Sequence, residues 1–160
     1  MAELTPLQEK LGEVLGLALA APVVLDRVAS RDDDARLASI RADAREVQAR
    51  CAEIAASWGE DVRWDVLARA ATVNRKAGEQ LHAWVKAGTD SVQAYEFMAM
   101  AEAGELAATR ALDVLNGGGD PLVEELVRWA VPAQERHLRA AFDGCARRAA
   151  ALHAAETTAA

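Results

Sequence analysis

Aromatic residues are scarce in this chain: four Trp, two Phe and one Tyr, 4% of 160 residues. No segment alternates apolar and polar residues as a half-buried strand does. Alanine carries much of the 52% hydrophobic content, and alanine-rich sequence with few β-branched residues favours helix. The fold class is therefore all-α. Positive charge is also short, with 18 Lys and Arg against 25 Asp and Glu, a formal net charge of −7. Nucleic-acid affinity rests on clustered basic residues, so no nucleic-acid partner is expected. Anionic membrane surfaces are disfavoured for the same reason, and no apolar run reaches the ~20 residues of a membrane span. MAELTPLQEK has no basic segment leading into an apolar one, so no signal peptide is expected there. Cys51 and Cys145 lack Cys-x-x-Cys spacing and read as reduced thiols of a cytoplasmic protein. There is no Gly-x-Ser-x-Gly elbow, Walker loop or dinucleotide fingerprint, so no catalytic residue is assigned and an enzyme is disfavoured.

What is present is helix punctuation. At 160 residues the chain reads as one domain, with residues 154–160 as a frayed tail. Thr5, Pro6 and Gln8 make a capping box for a first helix, whose buried stripe is Leu4, Leu7, Leu11, Val14, Leu15, Ala18, Pro22 and Leu25. Pro22 should kink it. Ser30 or Asp32 can cap a second helix with the stripe Ile40, Ala44, Val47, Cys51, Ile54 and Trp58, bordered by Asp43 and Arg50, and Gly59 ends it. Asp61 caps a third, facing inward through Val66, Ala70, Val73, Ala77, Leu81 and Trp84 and ending at Gly88. Residues 88–90 either break the chain sharply or only kink it. Asp90 with Gln93 opens a fourth helix, and Asn116 to Gly119 is the clearest break. Asp120 and Pro121 open the last, with the stripe Val123, Val127, Val131, Leu138, Ala141, Phe142 and Cys145 and a bend at Pro132. Such helices, joined by short turns, predict an antiparallel four-helix bundle with a short or kinked extra helix.

The fourth helix, Ser91 to Leu115, organises the rest. Phe97, Met100, Ala101, Gly104, Ala108, Ala111 and Leu115 make one face, and Tyr95, Met98, Glu102, Leu106 and Thr109 a second. A helix apolar on two sides is buried on two sides. Glu102 and Glu105 then need partners, or a solvated edge. The last helix carries Gln134-x-x-His137, the spacing of the Glu-x-x-His metal motif with an amide replacing the carboxylate. Two readings are open. Glu102, Glu105, Gln134 and His137 are candidate metal ligands; alternatively, Glu102 pairs with an arginine and His137 is an edge histidine. His82 and His153 fall on helix surfaces.

From Arg75 to Phe142, including SVQAYEFMAMAEAGELAATRALDVLNGGGDPLVEELVRWAVPAQERHLRAAF, the order of elements resembles the second half of the ferritin-like, stress-associated YciF family. The first half is similar more loosely, with Pro22 where that family's first helix often has a proline. The resemblance implies a ferritin-like bundle in which Glu102 and Glu105 match the acidic pair of the central helix and Asp43 an acid of the second. Where the family has other polar ligands this chain has Val14, Val47 and Gln134. Two cations need more carboxylate than remains. The resemblance thus implies a degenerate metal site, with binding or assembly in place of di-iron catalysis and no cofactor. The alternatives are a metal-binding or metal-storage protein using iron or another divalent transition metal, and a helical interaction module. Exposed apolar residues on the third and last helices predict a homodimer.

Overall fold

The computed structural model describes residues 3–86 and 89–159, and these are all-helical, with no strand among them. Five helices follow in order: α1 (Pro6–Ala29), α2 (Arg36–Ser57), α3 (Glu60–Trp84), α4 (Ser91–Asn116) and α5 (Pro121–Ala159). Contacts run from α1 to α2, from α2 to α5, from α5 to α4 and from α4 back to α1. Four helices thus close a ring, and α3 packs against it on α1 and, more lightly, α2. The fifth helix is not short, since α3 has 25 residues.

The local signals explain most boundaries. Thr5 and Gln8 form the reciprocal capping box at α1. The Asp90 side chain accepts from the Gln93 amide at 2.9 Å, so α4 starts afresh and the chain breaks before it. Gly88, expected to end α3, lies outside the described residues. Gly117 takes the left-handed conformation, φ 53°, that closes α4. Asp120 accepts from Leu122 N and, through Oδ2, from Trp58 Nε1 at 2.7 Å, which ties the end of α2 to the start of α5.

Other signals were displaced. α2 starts at Arg36, whose amide donates to Asp34, while Ser30 instead closes α1 and donates to the Arg27 carbonyl. Gly59, at φ 102°, precedes α3 directly, so Asp61 sits inside its first turn. Pro22 and Pro132 lie within continuous helices. The 154–160 tail, expected to fray, continues α5 as helix to Ala159, with residues 151–158 all exposed. Alanine's high propensity supports such a turn without a packing partner, and Thr157 and Thr158 donate to carbonyls one turn back.

The core has two parts. One joins Leu11, Val14, Leu15 and Ala18 to Val47, Cys51, Ile54, Leu112 and Leu126. The other joins Leu25, Val28 and Ile40 to Tyr95, Met98 and Ala141. The stripes of α1 and α2 are therefore largely as predicted. Those of α3, α4 and α5 need correction: Trp84, Met100, Leu115 and Phe142 are exposed. On α4 the packed edge runs through Tyr95, Met98, Glu102, Glu105, Thr109 and Leu112 toward the ring, and the Met100–Gly104 side looks outward.

Candidate functional site

Between the two parts of the core the ring encloses a polar cluster. Glu102 and Glu105 come from α4, Gln134 and His137 from α5, and Asp43 from α2. The three-residue spacings put each pair on one helix face. Glu102, Gln134 and His137 are 3%, 3% and 6% exposed, so they belong to the interior and not to a helix edge. Asp43 is half-buried. All five predicted residues line one cavity of about 10 Å³, with Ala21, Val47, Trp129, Ala130 and Ala133 among its other walls.

His137 is the hub. Its Nε2 lies 2.9 Å from Asp43 Oδ2, a hydrogen bond, and its Nδ1 lies 3.4 Å from Glu102 Oε2, within ion-pair range. Burial by itself would lower the His137 pKa, but the adjacent Glu102 and Asp43 carboxylates outweigh it and hold the value above the usual 6.5. The protonated ring donates from Nε2 to Asp43 and faces Glu102 across the longer ion-pair distance, a cation between two carboxylates. No arginine enters the cluster, so the alternative pairing of Glu102 with an arginine is not what the fold adopts.

Glu105 behaves differently. Burial, and then the charge of Glu102, push its pKa well above the usual 4.5, which favours the neutral carboxyl. Its side chain makes no hydrogen bond with a described residue; only its backbone carbonyl accepts, from Thr109 Oγ1 at 3.0 Å. Glu102 Oε2 and Gln134 Oε1 are buried without a hydrogen bond. Three carboxyl groups, one imidazole and one amide thus share the cluster.

A pair of metal ions does not fit this donor set. Both His137 nitrogens face carboxylates, Gln134 is neutral, and a 10 Å³ space is at the lower limit for one water molecule. Among the described residues no group of three or more His, Cys, Asp or Glu side chains is placed to hold a metal. The α1 wall is Ala21; Val14, matched by resemblance to a first-helix ligand, packs in the apolar core instead. Seven residues separate them, about 10 Å along a helix. Nothing in the α1 sequence marks Ala21 as the lining position, because alanine there is indistinguishable from its neighbours.

A second polar network, at the α2 end of the ring, was not foreseen. The buried Tyr95 hydroxyl lies 2.8 Å from Asp32 and 3.1 Å from Asp34, and Arg147 donates to both carboxylates. An acidic run beside a helix start reads as capping, and only folding brings α5 to it. No described helix is long and apolar enough to cross a membrane. Fold and cluster together define an all-helical protein with a buried histidine–carboxylate centre. No family model, curated protein or solved structure matches the chain.

Proposed function

We propose that this protein is a ferritin-like helical bundle with a degenerate metal site, acting by binding or assembly and not by di-iron catalysis. The observation that carries the reading is His137 between Asp43 and Glu102, at 2.9 and 3.4 Å. A histidinium there does what a bound cation would do: it neutralises carboxylates from two helices and ties α5 to α2 and α4. Removing charge donors from a two-metal site while keeping an internal counter-ion preserves the bundle and forfeits the metals. The protein is further proposed to be a cytoplasmic homodimer, on its free cysteines and on apolar residues such as Trp64 left exposed.

A second reading is favoured by the unsatisfied Glu102 Oε2. One divalent transition metal could be held by Glu102, Glu105 and His137 if His137 turned from Glu102 and lost its proton. Metal analysis of protein purified without chelator, before and after incubation with ferrous iron, separates the two. The degenerate-site reading expects far less than one metal per chain in both samples. Close to one per chain favours the second reading, and two per chain overturns the degenerate site.

A further inference from the structure

Behind the cluster, an apolar groove of about 170 Å³ opens between α1, α3 and α4, with Leu17, Val24, Phe97, Met100 and Ala101 among its walls. Glu105 lines both this groove and the closed cavity, so it stands at the wall between them. It is 8% exposed and its carboxyl has no partner among the described residues. Among the described residues no Lys, Arg or His lines the groove. An unpartnered carboxyl in an apolar wall, beside a second carboxylate, is unfavourable in either protonation state.

Gly104 supplies an independent observation. It also lines the groove, and a Cβ built there meets nothing within 4 Å. By contrast, a Cβ at Gly16 would lie 2.6 Å from the Ala70 carbonyl oxygen, and one at Gly144 would lie 2.2 Å from Tyr95 Cε1. Those two glycines are required by packing. Gly104 is not, although glycine within a helix is unfavourable by ~1 kcal/mol relative to alanine. Its lack of a side chain leaves that part of the groove wall as bare backbone.

We infer that the groove binds a small amphipathic amine, its apolar body between Leu17, Val24, Phe97 and Met100 and its ammonium on the Glu105 carboxylate. The inference rests on the metal-free reading of the cluster, because a metal there would occupy Glu105. Charge complementarity selects the occupant. The cluster behind Glu105 holds three carboxyl groups and a single imidazole, and no Lys, Arg or His among the described residues lines the groove, so nothing there attracts a carboxylate ligand. An ammonium in the groove supplies the Glu105 carboxyl with a partner that no described side chain provides. Size sets the body: a cavity of about 150 Å³ accepts a benzene-sized molecule.

The test is calorimetric titration of the full chain at pH 7 with benzylamine, benzyl alcohol and benzoate, with metal content measured on the same preparation. Benzylamine is expected to bind saturably at one site, more tightly than benzyl alcohol, and benzoate not at all. E105Q, nearly the same shape, should weaken benzylamine at least ten-fold without changing benzyl alcohol. G104L should abolish binding of both while keeping the helical circular dichroism of the wild type. The inference is overturned if benzyl alcohol or benzoate binds as well as benzylamine, if E105Q binds the amine like the wild type, or if no saturation occurs by ~10 mM. Stoichiometric metal would sink the cluster reading and this inference with it. Metal-free protein that ignores benzylamine would sink this inference alone.

Discussion

At the scale of single residues, His137 and Glu105 are both proton-holding groups, and their signs agree. The raised pKa of His137 means that its contribution is fully present below the ordinary 6.5 and is lost as pH rises through the folded-state value. Glu105 keeps its proton above the ordinary 4.5, where the unfolded chain has released it, so folding again weakens as pH rises. Asp34 has the opposite sense. The Arg36 side chain, opposed by burial and helped by the Arg36 amide, Arg147 and Tyr95, holds it below the carboxylate range, and its contribution is lost only in acid. Urea denaturation between pH 4 and 9 should therefore find E105Q gaining on the wild type as pH rises, with a flatter profile. A constant difference between the two would show that Glu105 is ionised in the native state. His137→Leu leaves Glu102 buried without its cation and should destabilise by roughly 2–4 kcal/mol, more at pH 6 than at pH 9. An unchanged urea midpoint at pH 6 would mean that the ion pair contributes nothing.

The helices are set by how closely they approach. Gly12 and Gly16 on α1 lie under α3, where a Cβ would meet Arg69 and Val73 side chains and backbone oxygens at 2.6–3.1 Å. Gly144 of α5 lies against the ring of Tyr95 on α4, which itself is 1% exposed. G144A should cost about 2–4 kcal/mol, since an aromatic ring fixed by Asp32 and Asp34 cannot move aside. G104A should be neutral or stabilising by up to ~1 kcal/mol, as it gains helix propensity and meets nothing. Thermal unfolding of the two variants checks the contrast, and equal losses would contradict it. The same elements show what the pattern could convey. Leu11, Val14 and Leu15 on α1, and Ile40, Val47 and Ile54 on α2, are buried as their spacing predicts. On α4 two apolar stripes compete, and periodicity ranks them equally. The ring took the Tyr95–Met98–Glu102 stripe, and Met100 of the other is 50% exposed.

At the scale of the whole molecule, α3 is the element that leaves apolar surface unspent. It covers α1 from outside, and Trp64 and Trp84 are each 59% exposed, as is 58% of Phe142 on α5. Acidic and basic residues are balanced along α3, four of each, so these side chains suit a self-complementary contact. Light scattering at ~100 µM, where even micromolar association is visible, should give twice the chain mass of 17.1 kDa. A mass of one chain at that concentration would remove the homodimer.

The sequence by itself determined the all-helical class, the caps at Thr5, Asp90 and Asp120, and the breaks around them. Those are local matters of backbone donors, propensity and turn residues, which neighbouring positions in the chain decide. It also held the five residues of the cluster, since a carboxylate pair and an amide–histidine pair inside apolar stripes demand company. Tertiary structure alone decided how they combine. Asp43 and Glu102 reach His137 from opposite sides only because α2, α4 and α5 are neighbours in the ring. Glu105, three residues from Glu102, has the same chemistry and the same helix, yet α1 and α3 leave an apolar groove beside it and no counter-charge. Identical carboxyls thus meet different surroundings, His137 beside one and an apolar groove beside the other, because those surroundings come from helices distant in sequence.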